Sequence, residues 1–554
     1  MTTLQSGGPA RTAPLPPERQ GDNLLDGDAA LLEALRREGA EGFEPACRAL
    51  GARLGEREVI EWGFQANDQP PELVRLDRSG ERVDEIAFHP AWHSLMDLAV
   101  TSGVAGAPWA DDRPGAHVAR AASFIMLAQV EAGITCPLAM TYSCVPALQL
   151  GTGEEHWERL ATSGEYDPRP LPAGVKRGAL IGMALTERSG GSDVRTSGTV
   201  AVPGPDGAWS VSGTKWFVSA AQSDAFFVLA QTASGLSLLL VPRRRGDGAP
   251  NGLRFDRLKP KLGNRSNPTA EVELDDAQAT LIGEEGRGVR AIMAMIGGTR
   301  HDCVLGSTAV MRLGTAEAIH WATHREAFGR LLSEQPAMTA VLADLALESE
   351  AATAGAMWLA RINEQAQRGD EGAELLRRIA APVLKYWTCK RAPAHLAEAL
   401  ECQGGFGYIE ESRLARAYRE APLMSIWEGS GNVQALDVLR AVATSPQAPE
   451  ALLGELDAAR GADARLDAAL DRIAPAFASA QQSEAQARAL AGLLARCVQA
   501  MLLVAHAPPA VADAFCATRL AHDGGRYEIG ELPPDCDAAA IVERARPGDT
   551  EVAA

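Results

Sequence analysis

Three long stretches in the second half of the chain contain few helix-breaking residues, and they constrain the fold more than any other feature. They cover residues 289–328, 336–368 and 373–400 and are dense in Ala, Leu, Arg and Glu. Successive helices of this length and composition bury their apolar faces most readily against one another. The sequence therefore predicts a helical bundle domain over residues 286–444.

The residues before the bundle follow a different pattern. Between 181 and 285, short runs rich in β-branched and aromatic residues, such as 225–230 and 236–241, are separated by Gly, Asp, Asn and Pro clusters. Strand-length runs at intervals of about ten residues are typical of a small antiparallel barrel or sandwich. Strands do not alternate with helices, as a doubly wound sheet would require. We therefore predict a β-barrel domain at 181–285.

The outer parts of the chain complete a mainly α fold with a central β-barrel. Apolar residues recur at helical spacing over 29–180, apart from a proline-rich break at 165–178, and this indicates an N-terminal helical domain. The Pro- and Gly-rich residues 1–28 predict a disordered arm. A further helical domain is predicted at 445–525, followed by a polar tail at 526–554.

Composition argues against several classes of protein. The nine cysteines form no Cys-x-x-Cys pair, so neither a zinc site nor a disulfide framework is supported. His89 and His93 are four residues apart, but no third metal ligand is evident. No apolar run approaches the roughly 18 residues that span a membrane, and the N-terminus lacks a signal-peptide core. We expect a cytoplasmic protein with no bound metal and no membrane partner.

The most specific stretch is 183–193, Met-Ala-Leu-Thr-Glu-Arg-Ser-Gly-Gly-Ser-Asp. Thr186 and Ser192 place hydroxyls on either side of a glycine pair. Glycines let backbone N–H groups approach an anion or a planar heterocycle, and hydroxyls complete its hydrogen bonding. A surface turn between two strands is the alternative interpretation. No Gly-Lys-Ser/Thr follows, so the stretch is not a Walker loop.

This stretch resembles the signature of the acyl-CoA dehydrogenase family, in which Leu-Thr-Glu-x-x-x-Gly-Ser-Asp holds the flavin of FAD. Further blocks of the family follow in order. They lie at 213–219, 261–263, 283–286, 325–329 with Gln335, 404–407 and 426–431. A narrower resemblance is to the AidB branch, which carries an appended C-terminal helical domain and is associated with the adaptive response to DNA alkylation. It rests on 88–93, 112–120, 140–142, 262–267 and 425–432.

The resemblance implies an FAD cofactor lying between the subunits of a homo-oligomer, a dimer or a tetramer. Ser219 occupies the family's hydroxyl position beside the flavin, and Phe217 stands where most members have a stacking Trp. Arg325, Phe328 and Gln335 match positions that hold the ADP half of the neighbouring subunit's FAD. The cofactor-binding residues implied in this way are Met183, Leu185, Thr186, Ser192, Phe217, Val218, Ser219, Arg325, Phe328, Gln335, Ile426, Trp427, Ser430 and Asn432.

Glu428 matches the family's catalytic base, which removes the α-proton of an acyl thioester while the β-hydride moves to flavin N5. Such a carboxylate needs a dry pocket that raises its pKa towards working pH. An exposed loop glutamate is the alternative. Some branches place the base just before the arginine of a bundle helix, but that position is Thr299 here. Arg300 matches an arginine that supports the 428 loop, whereas Gly297 and Gly298 depart from the polar residues near the CoA arm.

The resemblance therefore implies an FAD-dependent acyl-CoA dehydrogenase, an oxidoreductase acting on CH–CH bonds. We expect short or branched acyl-CoA substrates and an electron-transfer flavoprotein as acceptor. The alternative is an AidB-like flavoprotein that binds double-stranded DNA and has little dehydrogenase activity. A third possibility is a redox-inactive scaffold that keeps FAD for stability.

Charge weighs against the DNA alternative. The chain has 53 Lys+Arg against 72 Asp+Glu, a formal net charge of −19. Residues 445–554 hold nine arginines and no lysine against sixteen acidic residues, whereas DNA affinity depends on cations that neutralise phosphates. The C-terminal domain would bind DNA poorly unless its arginines cluster on one face around Arg488, Arg496 and Arg519.

Overall fold

A computed structural model of the chain describes residues 15–204, 207–520 and 529–548. Helices come first, strands follow and helices return, in the predicted order. The parts of the predicted arm and tail at 1–14, 526–528 and 549–554 lie outside the described residues. The fold is mainly helical with a central closed β-barrel, as the sequence predicts.

The N-terminal region is helical but also holds a hairpin that the sequence does not reveal. Its helices are α1 Ala29–Leu35, α2 Glu44–Gly55, α3 Arg57–Asp68, α4 Pro90–Thr101, α5 Ala116–Val130, α6 Thr135–Ser143, α7 Val145–Leu148 and α8 Glu155–Thr162. The hairpin is β1 Glu72–Leu76 with β2 Arg82–Ala87. Contacts to the barrel stabilise it, because Asp84 Oδ2 accepts a hydrogen bond of 3.1 Å from the Phe255 N–H. The hairpin was not predicted, because its barrel partners are distant in sequence and do not affect the local residue pattern.

The prediction of a disordered N-terminal arm is wrong for residues 15–28. Arg19 pairs with Glu317 at 3.0 Å and with Asp22 at 2.9 Å, while Leu24 and Leu25 belong to the main hydrophobic core. The carbonyl of Pro17 accepts a hydrogen bond of 2.8 Å from His320. We call residues 15–28 the N-terminal strap. Its prolines and glycines disfavour helix and strand, but the strap still packs against the helical core.

The barrel forms one sheet in the order β3-β6-β4-β5-β9-β7, and the pairing of β6 with β7 closes it. Its strands are β3 Ile181–Ala184, β4 Val200–Pro203, β5 Trp209–Ser219, β6 Ala225–Thr232, β7 Gly235–Pro242, β8 Leu253–Leu258 and β9 Thr269–Ile282. β6 is buried on both faces: Phe226 and Val228 face the barrel interior, whereas Phe227 and Leu229 pack towards the helices. The barrel and the helices therefore share a continuous apolar contact.

The bundle follows the predicted helices closely. It contains α9 Gly288–His324, α10 Pro336–Gln367, α11 Glu371–Cys402, α12 Arg413–Glu420 and α13 Gly431–Thr444. The first stretch predicted as helix, 289–328, ends early because the chain turns into a hairpin, β10 Glu326–Ala327 with β11 Arg330–Leu331. Positive φ angles at Phe328 (56°) and Gly329 (82°) make that turn. α9 packs against α5, α6, α10, α11 and β7, so its first turns lie between the barrel and both helical regions.

The C-terminal helices are α14 Gln447–Asp457, α15 Ala464–Asp471, α16 Ile473–Gln482, α17 Ala487–His506, α18 Pro509–Arg519 and α19 Ala538–Ala545. Within the described ranges, Glu484–His506 alone is long and apolar enough to cross a membrane by length and composition. Of its most apolar window, 78% is buried inside the protein, and α17 packs on α10, α11 and α13. This is the position of a core helix.

The predicted polar tail is wrong for residues 529–548. α19 packs on α10, and Arg544 binds both Glu33 and Glu350. The buried side chain of Arg312 joins the two ends of the chain: it donates to the Ala545 carbonyl at 2.8 Å and to the Gly27 carbonyl, and it pairs with Asp28 at 3.1 Å. We call this arrangement the Arg312 clamp. The polar composition of this segment led to the prediction of a tail, because composition does not indicate the arginine–glutamate pairs that hold the segment against α10.

Candidate active site

Glu428 lies in a tight loop between a 3₁₀ turn at Leu423–Ser425 and the first residue of α13. Its φ angle is 56°, in the left-handed region, and that of Gly429 is 99°. The Glu428 carbonyl accepts a hydrogen bond of 2.8 Å from Gln434 Nε2 and one of 3.3 Å from Arg300 Nε. A non-glycine residue keeps such a conformation only when its surroundings hold it there. We call residues 424–430 the Glu428 loop.

Arg300 and Asp437 link this loop to the bundle. Arg300 Nη1 lies 2.7 Å from Asp437 Oδ2, and Asp437 Oδ1 accepts a hydrogen bond of 3.1 Å from Arg378. Arg300 thus contacts the loop backbone with one nitrogen and the carboxylate of α13 with another. Arg300 of α9 therefore connects the Glu428 loop to α13.

Lys385 is a residue of the site that the sequence analysis missed. Its side chain is about 1% exposed, and its Nζ donates to the carbonyls of Met424 at 3.2 Å and Gly429 at 2.8 Å. It therefore spans the Glu428 loop from both sides of the glutamate. The signal was present in the sequence, since Lys385 occurs in an apolar run of α11 at four-residue spacing from Ala381 and Cys389. A lysine on the buried face of a helix needs a polar partner.

The electrostatic surroundings of Glu428 suit a base. Burial raises the pKa of the Glu428 carboxyl, while a hydrogen bond from Thr299 and the charges of Lys385 and Arg300 lower it in part. Among the described residues, the backbone N–H of Glu428 has no hydrogen-bond acceptor. The loop therefore presents one proton acceptor and one free donor side by side.

Two barrel segments bring together the residues implied to contact a flavin. The Trp216 N–H donates to the Thr186 carbonyl at 2.8 Å, which joins the loop after β3 to the end of β5. Met183, Leu185 and Thr186 are partly buried, Ser192 is exposed and the Phe217 ring is 50% exposed. The Val218 side chain instead lies in the barrel interior at 1% exposure, so it has only its backbone to offer a ligand.

A buried ion pair supports the loop after β3, and the sequence analysis did not identify it. Glu187 Oε1 accepts hydrogen bonds from Lys215 Nζ at 2.8 Å and Thr199 Oγ1 at 2.6 Å, and Oε2 accepts one from the Gly198 N–H at 2.7 Å. Burial opposes these contacts, which nevertheless lower the pKa of Glu187 to about 2. Glu187 therefore fixes the strand end that carries Thr186.

The other implied cofactor residues lie apart from this cluster. Phe328 lies in the turn of the β10–β11 hairpin, Arg325 precedes the hairpin, and Gln335 precedes α10 and donates through Nε2 to the Ala327 carbonyl at 3.0 Å. α9 separates Arg325 from Arg300 by roughly 37 Å at 1.5 Å per residue. Phe328 is 97% exposed. One chain therefore does not bring the hairpin and the Glu428 loop to a single site.

Around the Glu428 loop, the implied residues divide into exposed and packed side chains. Ile426 and Ser430 are exposed, and Trp427 packs against clusters that contain Met424, Cys303 and Met295. Asn432 Oδ1 accepts a hydrogen bond of 2.8 Å from Arg488 of α17. Asn432 thus already has a partner in the C-terminal helices.

The residues present fit a planar, partly polar heterocycle. Met183, Leu185 and the half-exposed Phe217 ring supply apolar surface, and Thr186 and Ser219 supply hydroxyls. Gly191 lets the loop close over Thr186, because a Cβ there would lie 2.6 Å from Thr186 Oγ1. Within the described residues, no group of three or more His, Cys, Asp or Glu could hold a metal ion. This combination of apolar surface and hydroxyls suits an isoalloxazine ring.

Three protein-family models match consecutive parts of the chain. The adaptive response protein AidB N-terminal domain matches residues 15–168, the acyl-CoA dehydrogenase middle domain 182–277 and the acyl-CoA dehydrogenase C-terminal domain 286–443. The boundaries between the models fall where the structure passes from helices to barrel and from barrel to bundle.

Individual relatives cover most of the chain. It is 44% identical over 506 residues to the putative acyl-CoA dehydrogenase AidB of Escherichia coli K12, over 91% of this chain and 93% of the relative. It is 33% identical over 457 residues to acyl-CoA dehydrogenase family member 11 of Caenorhabditis elegans, over 79% of this chain and 72% of the relative. The crystal structure of C. elegans ACDH-11 in complex with C11-CoA superposes with a TM-score of 0.83 at 27% identity, over 96% and 95% of the two chains.

Proposed function

Because the chain belongs to the acyl-CoA dehydrogenase family, in its AidB-like branch, we propose that it dehydrogenates an acyl-CoA thioester with Glu428 as the base. The family is FAD-dependent, and FAD is the cofactor of this chain. The observation that carries the proposal is the Glu428 loop. Arg300, Lys385 and Gln434 hold its carbonyls, so the carboxylate stands in a fixed position with a raised pKa.

The residues of the chain divide the chemistry between them. Glu428 takes the α-proton, and its free backbone N–H can donate to the thioester oxygen as negative charge develops there. Bound FAD supplies the acceptor for the β-hydride. Trp427 and the apolar cluster beside it limit water near the carboxylate, and desolvation keeps the base strong enough to act near neutral pH.

We propose short or branched acyl groups as substrates. Trp427, which precedes Glu428 in sequence, packs against the cluster that contains Met140 and Met295. Large side chains packed beside the loop would leave little room for a long acyl chain. The C. elegans relative was crystallised with C11-CoA, so a medium-chain thioester is the appropriate comparison substrate. An electron-transfer flavoprotein is the proposed acceptor.

We also propose that the active protein is a homo-oligomer. The β10–β11 hairpin lies roughly 37 Å along α9 from Arg300, and it ends in the exposed Phe328 ring. A second copy can bring its hairpin to the flavin site of the first, as the resemblance implies for Arg325, Phe328 and Gln335. Dimer and tetramer both satisfy this requirement.

The C-terminal arginines around Arg488, Arg496 and Arg519 do not support the DNA-binding alternative. Arg519 pairs with Asp344 and Glu348 in the core and is 1% exposed, and Arg496 is 6% exposed beside the Trp387 ring. Of the three arginines that could have formed a basic face, Arg488 alone is exposed, and it binds Asn432. Buried arginines do not neutralise phosphates. We therefore propose the dehydrogenase as the function.

Anaerobic titration of the FAD absorbance band with butyryl-CoA, isovaleryl-CoA and a C11 acyl-CoA tests the function. We expect butyryl-CoA or isovaleryl-CoA to bleach the wild-type flavin, and Glu428→Gln to bind FAD and remain oxidised. Glu455→Gln, an exposed glutamate of α14, is the matched control and should bleach like the wild type. Failure of all three thioesters to bleach the wild type would refute the proposal. Bleaching by the C11 thioester alone would refute its substrate class.

A further inference from the structure

A hydroxyl pair lies where β5 and β9 end beside the candidate flavin site. Ser219 and Thr269 are partners in the strand register, and their hydroxyl oxygens are 3.3 Å apart. Ser219 occupies the position at which the resemblance implies a hydroxyl contact to the flavin. Thr269 lies behind it, 3% exposed, so its hydroxyl proton must find an acceptor within the protein.

Lys261 reaches this pair from the loop that precedes β9. Its Nζ donates to Thr269 Oγ1 at 3.0 Å and also to the Asn267 carbonyl. Asn267 is itself fixed, because its Oδ1 accepts from the Ala220 N–H at 3.2 Å and its Nδ2 donates to Asn264 Oδ1 at 2.9 Å. The ammonium group therefore has a rigid position directly behind the hydroxyl pair.

The direction of the hydrogen bonds follows from the donors. A lysine ammonium has donors and no acceptor, so Thr269 Oγ1 must accept from Lys261. Among the described residues, the oxygen within reach of the Thr269 proton is Ser219 Oγ. If Thr269 donates to Ser219, the Ser219 proton points away from Thr269. The Cys136 thiol also lies beside Ser219, but a thiol is a weak acceptor, so the serine proton remains available to a ligand.

We propose that Lys261 is a positioning residue that, through Thr269, makes Ser219 a hydrogen-bond donor towards FAD and thereby raises the reduction potential of the bound cofactor. A donor and a partly buried positive charge both stabilise the additional negative charge of a reduced cofactor. The inference rests on the family's FAD and does not depend on the identity of the acyl-CoA substrate.

The charge of Lys261 persists under ordinary conditions. Desolvation lowers the pKa of Lys261 to about 8, and the nearby Cys136 and Glu420 oppose that shift. At neutral pH most molecules therefore carry the ammonium form. The partly buried charge of Lys261 and the direction of the hydrogen bonds therefore act on the same residue, Ser219.

The test measures the FAD midpoint potential by equilibrium with a reference dye during slow enzymatic reduction, without acyl-CoA. We expect Lys261→Met to lower the reduced-to-oxidised ratio at a given potential at least tenfold, which is about 30 mV for a two-electron couple. The matched control is Arg254→Met, which removes a cation at the other end of β8. Arg254 is exposed and paired with Asp275 at 2.6 Å, so its loss should change the ratio less than threefold.

A second pair of variants separates the hydroxyl chain from the charge. Thr269→Val keeps the lysine and breaks the chain, and it should lower the potential in the same direction as Lys261→Met. Thr269→Ser keeps a hydroxyl and should retain the wild-type potential. A potential of Lys261→Met equal to that of Arg254→Met would overturn the proposal. If Lys261→Met fails to hold FAD, equal potentials of Thr269→Val and Thr269→Ser would overturn it instead.

These outcomes are independent of the proposed function. An FAD that no acyl-CoA bleaches still has a measurable midpoint potential, and a working dehydrogenase with an unchanged potential in Lys261→Met would refute only the role of Lys261.

Discussion

Glu428 has a left-handed backbone conformation, with a φ angle of 56°, that few residues other than glycine adopt. Such a residue costs on the order of 1–3 kcal/mol and persists only where neighbours determine it. Here those neighbours are Arg300 of α9, Lys385 of α11 and Gln434 of α13, each bound to a carbonyl of the loop. The carboxylate is thus oriented before any substrate arrives, which is the arrangement expected of a base that must meet one carbon atom.

The first prediction at this scale concerns Lys385. Lys385→Met leaves the carbonyls of Met424 and Gly429 without their donor, so the loop should lose its fixed geometry. We expect the rate of flavin reduction by acyl-CoA to fall about 10–100-fold, equivalent to roughly 1.4–2.7 kcal/mol in the barrier, with FAD still bound. Stopped-flow absorbance measures the rate.

Lys390→Met is the control, because Lys390 lies on the same helix and is exposed. It should reduce its flavin at the wild-type rate. A Lys385→Met protein that matches Lys390→Met would show that the loop needs no support from α11.

The second prediction concerns the pH dependence of the reaction. Glu428 must be deprotonated to act, so the rate should rise with pH through its raised pKa. The hydrogen bond from Thr299 lowers that pKa, and Thr299→Val removes it. The acidic limb of the rate profile should therefore move to higher pH in Thr299→Val, whereas Thr299→Ser should keep the wild-type profile. Coincident profiles for all three proteins would contradict the assignment of Glu428 as base.

At the scale of elements, the loop after β3 depends on the ion pair beneath it. Glu187→Gln removes a charge that Lys215, Ser197, Thr199 and Gly198 all bind. Breaking such a contact leaves the buried Lys215 without a counter-charge, so we expect a loss of about 3–5 kcal/mol in unfolding free energy. Urea denaturation of the FAD-bound protein measures it, with the exposed Glu455→Gln as control.

The lowered pKa of Glu187 also makes the free energy of unfolding depend on pH. The pKa of Glu187 is lowered from 4.5 to about 2, so its stabilisation is complete above pH 4.5 and is lost as pH falls towards 2. Glu187→Gln should therefore lose less stability than the wild type over that interval. Parallel curves between pH 4.5 and 2 would show that the pair contributes nothing.

Elements with a strong local pattern were predictable from the sequence. The bundle helices lie close to their predicted positions, and the strand-length runs 225–230 and 236–241 are strands at 225–232 and 235–242. The elements that were missed depend on distant partners: β3 is a short strand paired in parallel with β6, and the β1–β2 hairpin docks on the barrel. Local periodicity carries no information about such pairings.

In the candidate site too, residues within local motifs were predictable and residues that act through distant contacts were not. Family motifs indicated Glu428, Thr186 and Ser219, whose cofactor and catalytic roles stay predictions. The sequence did not predict Lys385 or the Glu187–Lys215 pair. Their roles depend on contacts between segments that are separated in sequence. The prediction of a disordered arm was wrong at Arg19 for the same reason, because Glu317, the partner of Arg19, is 298 residues away.

At the scale of the whole molecule, Phe328 should mark a contact between copies. Nearly all of its ring is exposed at the tip of a hairpin whose turn holds it there. Phe328→Asp should reduce the oligomer measured by light scattering and raise the FAD dissociation constant at least tenfold, about 1.4 kcal/mol. Val175→Asp, also at an exposed apolar residue, is the control and should leave both unchanged. An intact oligomer in Phe328→Asp would contradict the shared site.

Ion pairs between residues far apart in sequence also impose an order on packing during synthesis. Arg19 must wait for Glu317, and Arg544 binds Glu33 across 511 residues. At about 5–20 residues per second, the first wait lasts roughly 15–60 s. The nascent chain therefore carries Arg19 without its Glu317 partner for that time, and Glu33 waits still longer for Arg544.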